Sequence, residues 1–210
     1  MKSLHFDAVA DPDGAVEAAA AELLLGRPVV LPTDTVYGLA VLPRFSEAVE
    51  DLFIRKGRNA VKSVAVLVSD TSQAAELTDH DLSEIDAFWP GPLTVVVRRA
   101  SGSEIYLGME ADARGTVGVR CPNHKLVRSL AARVGPLATT SANRSGEPSP
   151  PAAAAAADTV GGDLLVLDEG ICEGTPSTVI DLTESPAKIL RAGALDTSVL
   201  SAAGLGVSLG

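Results

Sequence analysis

The residues of this chain best suited to chemistry are hydroxyls, amides and cations placed where strands and helices are predicted to end. Five clusters stand out: Thr33 to Tyr37, Lys56 with Arg58, Thr116 with Arg120, Ser141 with Asn143, and Ser177 with Arg191. Arginine presents a planar fork of donors and lysine a compact point charge, so this set suits carboxylate and phosphate oxygens. No cluster pairs a nucleophile with a base; Ser141 lies in no GxSxG turn and has no histidine in a triad setting. The chemistry implied is the positioning and neutralisation of anions. Each cluster alone also has a plain structural reading. Thr33, Asp34 and Thr35 can satisfy turn backbone, Lys56 and Arg58 can meet the negative end of a helix dipole, and Ser141 and Asn143 can close a loop.

Rigid element ends must hold these side chains. Pro28 to Leu31 reads as an apolar strand stopped by Pro32, which sends Thr33 to Tyr37 out of the core. Ahead of it, Asp11-Pro12-Asp13-Gly14 opens a helix with Val16, Ala20, Leu23 and Leu24 on one face and Gly26 as a left-handed stop. Ser46 is expected to cap a second helix that ends at Arg55-Lys56-Gly57-Arg58. Val64 to Val68 reads as a strand buried on both faces. Two short helical segments then lead to the breaker Pro90-Gly91-Pro92. Strands follow at Leu93 to Val97 and Thr116 to Arg120, then a helix capped by Asn123 and closed at Gly135, and a short strand from Leu137 to Thr140. Pro150 and Pro151 start a helix through a run of alanines. Three strand-like runs, 164–167, 178–182 and 188–190, lie too close together for helical crossovers. The pattern predicts an α/β fold: a single domain over residues 1–210 with a twisted mixed β-sheet and flanking helices.

Composition narrows the function. At 210 residues and 46% hydrophobic, the chain can bury a sizeable core. It has no apolar run near the about 18 residues a membrane span needs, and its first residues lack a signal-peptide core, so a cytoplasmic protein with no membrane contact is expected. Cys121 and Cys172 are too few for a disulfide framework, and no ligand spacing suggests a structural metal. The net charge of −10 disfavours a general nucleic-acid binder. Its distribution is uneven: residues 55–144 carry +3, the remainder −13. Cations gathered into motif-like turns of an acidic chain point to a small anionic ligand.

Several motifs recur together: PTDTVYGLA at 32–40, KGR at 56–58, PGPLT at 90–94, GTVGVRCP at 115–122, TTSANRSGEP at 139–148, PSTVIDL at 176–182 and ILRAG at 189–193. In set and order they resemble the YrdC-like threonylcarbamoyl-AMP synthases, and the resemblance covers about residues 10–195. It implies a sheet with a concave ligand-binding face that joins L-threonine, bicarbonate and ATP, with Mg2+ accompanying ATP, into L-threonylcarbamoyl-AMP and pyrophosphate. The product would pass to a downstream t6A transferase complex that modifies tRNA. Carried over position by position, Lys56, Arg58, Ser141, Asn143 and Arg191 would hold ATP, with Lys56 and Arg58 stabilising charge at the phosphates. Thr33, Tyr37, Thr116, Arg120 and Ser177 would surround threonine, with Arg120 at its carboxylate. Asp34 could orient the turn, approach the metal or face the substrate amine. The competing expectation is a non-catalytic module of the same fold that binds tRNA or ribosomal RNA; the −13 balance leaves it few phosphate contacts, at most a weak tRNA contact.

Overall fold

The computed structural model describes residues 3–57, 64–172 and 174–209, so Arg58 lies outside the described residues. Along the chain run β1 (Leu4–Asp7), α1 (Pro12–Leu24), β2 (Val29–Leu31), β3 (Gly38–Val41), α2 (Ser46–Arg55), β4 (Ala65–Leu67) and α3 (Thr71–Ala75). A 3-10 turn (Ser83–Phe88), β5 (Leu93–Arg98), α4 (Met109–Arg114), β6 (Thr116–Arg120), α5 (Lys125–Val134) and β7 (Leu137–Ser141) follow. The chain continues through α6 (Ala153–Val160), β8 (Leu165–Asp168), β9 (Thr178–Asp181), β10 (Ala187–Arg191), α7 (Thr197–Ala202) and β11 (Val207–Leu209).

Local chemistry explains the best-defined ends. The Asp11 carboxylate accepts from Gly14 N–H at 2.9 Å with Pro12 in the first turn, while Gly26, at φ +73°, donates to Leu23 O beyond the helix. Two expected caps are not made. Ser46 is itself the first helical residue of α2, and α5 begins at Lys125, which puts Asn123 one residue too early; Phe45 and His124 occupy the cap positions and neither caps through its side chain. On α1 the buried face is Ala15, Ala19, Ala20 and Leu23, and Leu24 is exposed.

Among the described residues the strands form one 11-stranded mixed sheet in the order β1-β8-β2-β3-β7-β4-β6-β5-β9-β10-β11. The α2 and α6 side buries Val30, Leu39, Val41 and Val66. On the other face, α1 and α5 cover Val29, Leu31, Ala40, Leu137 and Leu165. That cover stops part-way. Laterally paired residues Ala40, Thr139, Ala65, Gly118 and Val96 form a row across β3, β7, β4, β6 and β5. Ala40 lies within the apolar layer of α1 and α5, while the next four line an open cavity. Small side chains and one glycine thus leave half of this face concave.

Of the three terminal runs, read as too close together for helical crossovers, the first is separated from the other two. β8 pairs with β1 and β2, whereas β9 pairs in parallel with β5 and antiparallel with β10. The connection 169–177 therefore crosses from one half of the sheet to the other. Seven strand-to-strand steps of about 4.8 Å would require roughly 34 Å, which this connection reaches only if fully extended. It instead turns at Gly170 and Gly174, both at positive φ, and binds Thr35 O through Gly174 N–H at 3.1 Å.

Candidate functional site

The cavity holds about 300 Å3 and is walled by the β2–β3 turn, the ends of β7 and β10, and Pro176-Ser177. Six of the expected site residues meet there: Thr33, Thr116, Arg120 and Ser177 from the threonine set, and Ser141 and Arg191 from the nucleotide set. Thr116 enters from the first position of β6 and Arg120 from the last.

Arg120 is the most constrained. It is 5% exposed, and its Nε donates to Gly91 O at 3.0 Å, one terminal nitrogen to Thr35 Oγ1 at 2.9 Å, and the other to Asp34 Oδ1 at 2.5 Å. Burial pulls its pKa down, opposed by the adjacent Asp34 carboxylate; a guanidinium nonetheless stays charged in proteins. Three of five N–H donors are used, which leaves two for a ligand in the cavity that Arg120 lines. Gly91 has to be glycine here, because an added Cβ would lie 2.4 Å from Phe88 O. Asp34, open between three roles on sequence, is the ion-pair partner of Arg120.

Ser177 is held twice by one guanidinium: Arg191 Nε donates to its carbonyl and a terminal nitrogen to its Oγ, both at 3.0 Å. The same Oγ lies 2.8 Å from Thr94 Oγ1. Gly193 lets this strand end close in; a Cβ there would lie 2.3 Å from Pro176 O and 2.4 Å from Ser177 C.

Lys56 and Asn143 stand behind the wall. The Lys56 ammonium, on a residue 3% exposed, lies 2.9 Å from Thr140 Oγ1, 2.8 Å from Ser141 O, 3.1 Å from Ser141 Oγ and 3.1 Å from Asn143 Oδ1. Ser141 Oγ donates to Asn143 Oδ1 at 2.5 Å, and the Asn143 amide donates to Arg144 O and Glu147 O. Lysine thereby fixes the turn that presents Thr140 and Ser141 to the cavity.

Two residues expected around threonine have their hydroxyls engaged by protein groups. Tyr37 does not line the cavity: it is fully buried, and its phenol donates to Gly170 O at 2.9 Å and accepts from Glu169 N–H at 3.2 Å. Residue 37 begins the return into β3, so its side chain points into the core under the 169–177 connection. Thr33 does line the cavity, but its hydroxyl accepts from the N–H groups of Thr35 and Val36 at 3.1 Å and donates to Val36 O at 2.6 Å. It is a turn former first. Thr35, expected only as a turn residue, and Thr94, given no role from sequence, both stand on the cavity wall. Thr35 repeats the parity of Thr33, and Thr94 closes the PGPLT motif, and these were the available signals.

No helix among the described residues is long and apolar enough to cross a membrane, and no group of three or more His, Cys, Asp or Glu is gathered to hold a metal. Cys121 and Cys172 are free and buried, and burial raises both thiol pKa values.

Known proteins agree with this architecture. A "Putative threonylcarbamoyl-AMP synthase" of Mycobacterium leprae is 41% identical over 88% of this chain and 86% of its own length. A "Threonylcarbamoyl-AMP synthase" of Pyrococcus abyssi is 35% identical over 86% of this chain but only 54% of its own. The crystal structure of P. abyssi Sua5 complexed with L-threonine superposes with a TM-score of 0.86 at 30% identity, covering 100% of this chain and 63% of that one. Residues 22–193 match the Sua5, YciO and YrdC family, described as telomere recombination. With its mixed open sheet, its half-covered face and these relatives, the chain belongs to the Sua5/YrdC family.

Proposed function

We propose that this protein is a threonylcarbamoyl-AMP synthase. In the reaction, the threonine amine and bicarbonate form a carbamate with loss of water. A carbamate oxygen then bonds to the α-phosphorus of ATP as the bond to pyrophosphate breaks. Both steps bring anions together, so the protein's task is placement and charge neutralisation. Arg120 is the candidate partner of the threonine carboxylate, within a wall that includes Thr33, Thr116 and Ser177. Ser141, presented by Lys56 and Asn143, and Arg191 are candidates for the nucleotide side, with Arg58 beyond the described residues. Mg2+ enters as part of the substrate Mg-ATP and supplies charge neutralisation at the phosphates. The adenylate would be consumed by a t6A-forming transferase acting on tRNA.

One observation carries this reading: Arg120, 5% exposed and fastened by three protein acceptors, lines the cavity with two donors unspent. A preoriented fork is the group that recognises a carboxylate, and a relative of this fold has been crystallised with L-threonine. The test is direct. Purified protein with Mg-ATP, labelled bicarbonate and L-threonine should yield a labelled threonylcarbamoyl-AMP and pyrophosphate. Absence of that product while ATP binds would overturn the proposal.

A further inference from the structure

Thr94, the second residue of β5, stands one step beyond the Val95–Val119 pair of β5 and β6 and so lies opposite Arg120. It is 4% exposed and lines the cavity. Its methyl faces Gly118, where an added Cβ would lie 3.7 Å from Thr94 Cγ2, and its hydroxyl meets Ser177 Oγ at 2.8 Å. Arg191 only donates, so Ser177 Oγ already spends one lone pair on it. Two arrangements of the hydroxyl pair remain. If Ser177 donates to Thr94, the Thr94 O–H is unspent; if Thr94 donates to Ser177, the Ser177 O–H is unspent. Either way the pair keeps one donor and at least one acceptor on the wall of the cavity that Arg120 also lines. A carboxylate needs only donors and an ammonium only acceptors. A hydroxyl needs both.

We infer that the Thr94–Ser177 pair is a specificity device, reading the side-chain hydroxyl of a β-hydroxy amino acid whose carboxylate is held by Arg120. The inference rests on the threonine reading above and extends it to a residue that reading does not use. A ligand without the hydroxyl would seal a donor of the pair away from water unpaired, the situation in which polar sites discriminate most strongly.

The experiment measures Kd by calorimetry for L-threonine and for L-2-aminobutyrate, which lacks the hydroxyl, so no turnover is required. The wild-type preference for threonine should fall about tenfold or more in Thr94→Val, a near-isosteric change, and in Ser177→Ala. Thr94→Ser, which keeps the hydroxyl and loses the methyl, should retain the preference. A ratio in Thr94→Val within about twofold of wild type, an equal loss for both amino acids, or loss of preference in a folded Thr94→Ser would each overturn the inference. Wild-type protein that binds no L-threonine would instead overturn the threonine reading itself.

Discussion

Asp34 and Arg120 share one buried contact, with side chains 13% and 6% exposed. Removing one partner leaves the other charge uncompensated in a poorly solvated place, which typically costs about 3–5 kcal/mol. Asp34→Ala should therefore lower the unfolding free energy by roughly 3 kcal/mol, measured by urea denaturation. Asp34→Asn, which can still accept from the guanidinium, should lose less and weaken L-threonine affinity more than ATP affinity. Equal effects on both ligands would assign Asp34 a purely structural part. At this scale sequence reasoning located the right turns without resolving how side chains divide labour within them. Arg120 and Ser177 were legible because a cation ends one apolar strand and a hydroxyl immediately precedes another. Tyr37 was not, since a phenol two residues past Thr35 can face cavity or core, and only the return of the chain into β3 decides which.

The 169–177 connection depends on a few pins. Tyr37 bonds its Gly170 O and Glu169 N–H, and the Glu169 carboxylate pairs with His124 at 3.1 Å. Burial pushes the Tyr37 phenol from 10 up to about 12, partly countered by the Glu169 N–H. A raised folded-state pKa favours the neutral form, so this stabilisation is complete below pH 10 and disappears as pH rises toward 12. Tyr106, the other tyrosine, is likewise raised to about 12, chiefly by its bond to Glu50. Absorbance titration should thus find no phenolate near pH 10 in the native protein. Tyr37→Phe should remove part of the alkaline loss of stability and cost about 1–3 kcal/mol at neutral pH by orphaning two backbone groups. The far end of the connection yields a steric prediction. In Gly193→Ala the new methyl meets the Pro176-Ser177 backbone, so strand β10 must shift. Stability should drop by about 1–3 kcal/mol, and L-threonine affinity should fall as Ser177 leaves Arg191, both measurable by thermal unfolding and calorimetry. The starts of α1, α2 and α5 were read within a residue or so, α4 and α7 were not read as helices, and the caps of α2 and α5 were misplaced, since a cap depends on which residue turns first.

Across the molecule, the α/β class and most strands were legible from apolar runs between breakers. β1, β3 and β11 were not read as strands: β1 is mostly exposed at an edge, β3 was taken as the tail of the turn motif, and β11 is a short run near the end of the chain. The placement of β8 beside β1 and β2 was equally hidden, because strand order is a tertiary property that local spacing does not encode. Outside residues 55–144 the chain carries a balance of −13, which is poorly suited to holding a long polyanion. The half-covered sheet face also sets stability against activity. Gly118 is not at positive φ, and a methyl there would make only ordinary contacts, at 3.7 Å from Thr94 and 4.0 Å from Val96. Alanine should suit the strand better than glycine by a few tenths to about 1 kcal/mol, so Gly118→Ala should melt higher than wild type yet bind L-threonine more weakly. A variant that melts lower would show the floor to be tightly packed already. If the outcome holds, the hollow persists in spite of folding energetics, and the empty space itself is what selection for activity has kept.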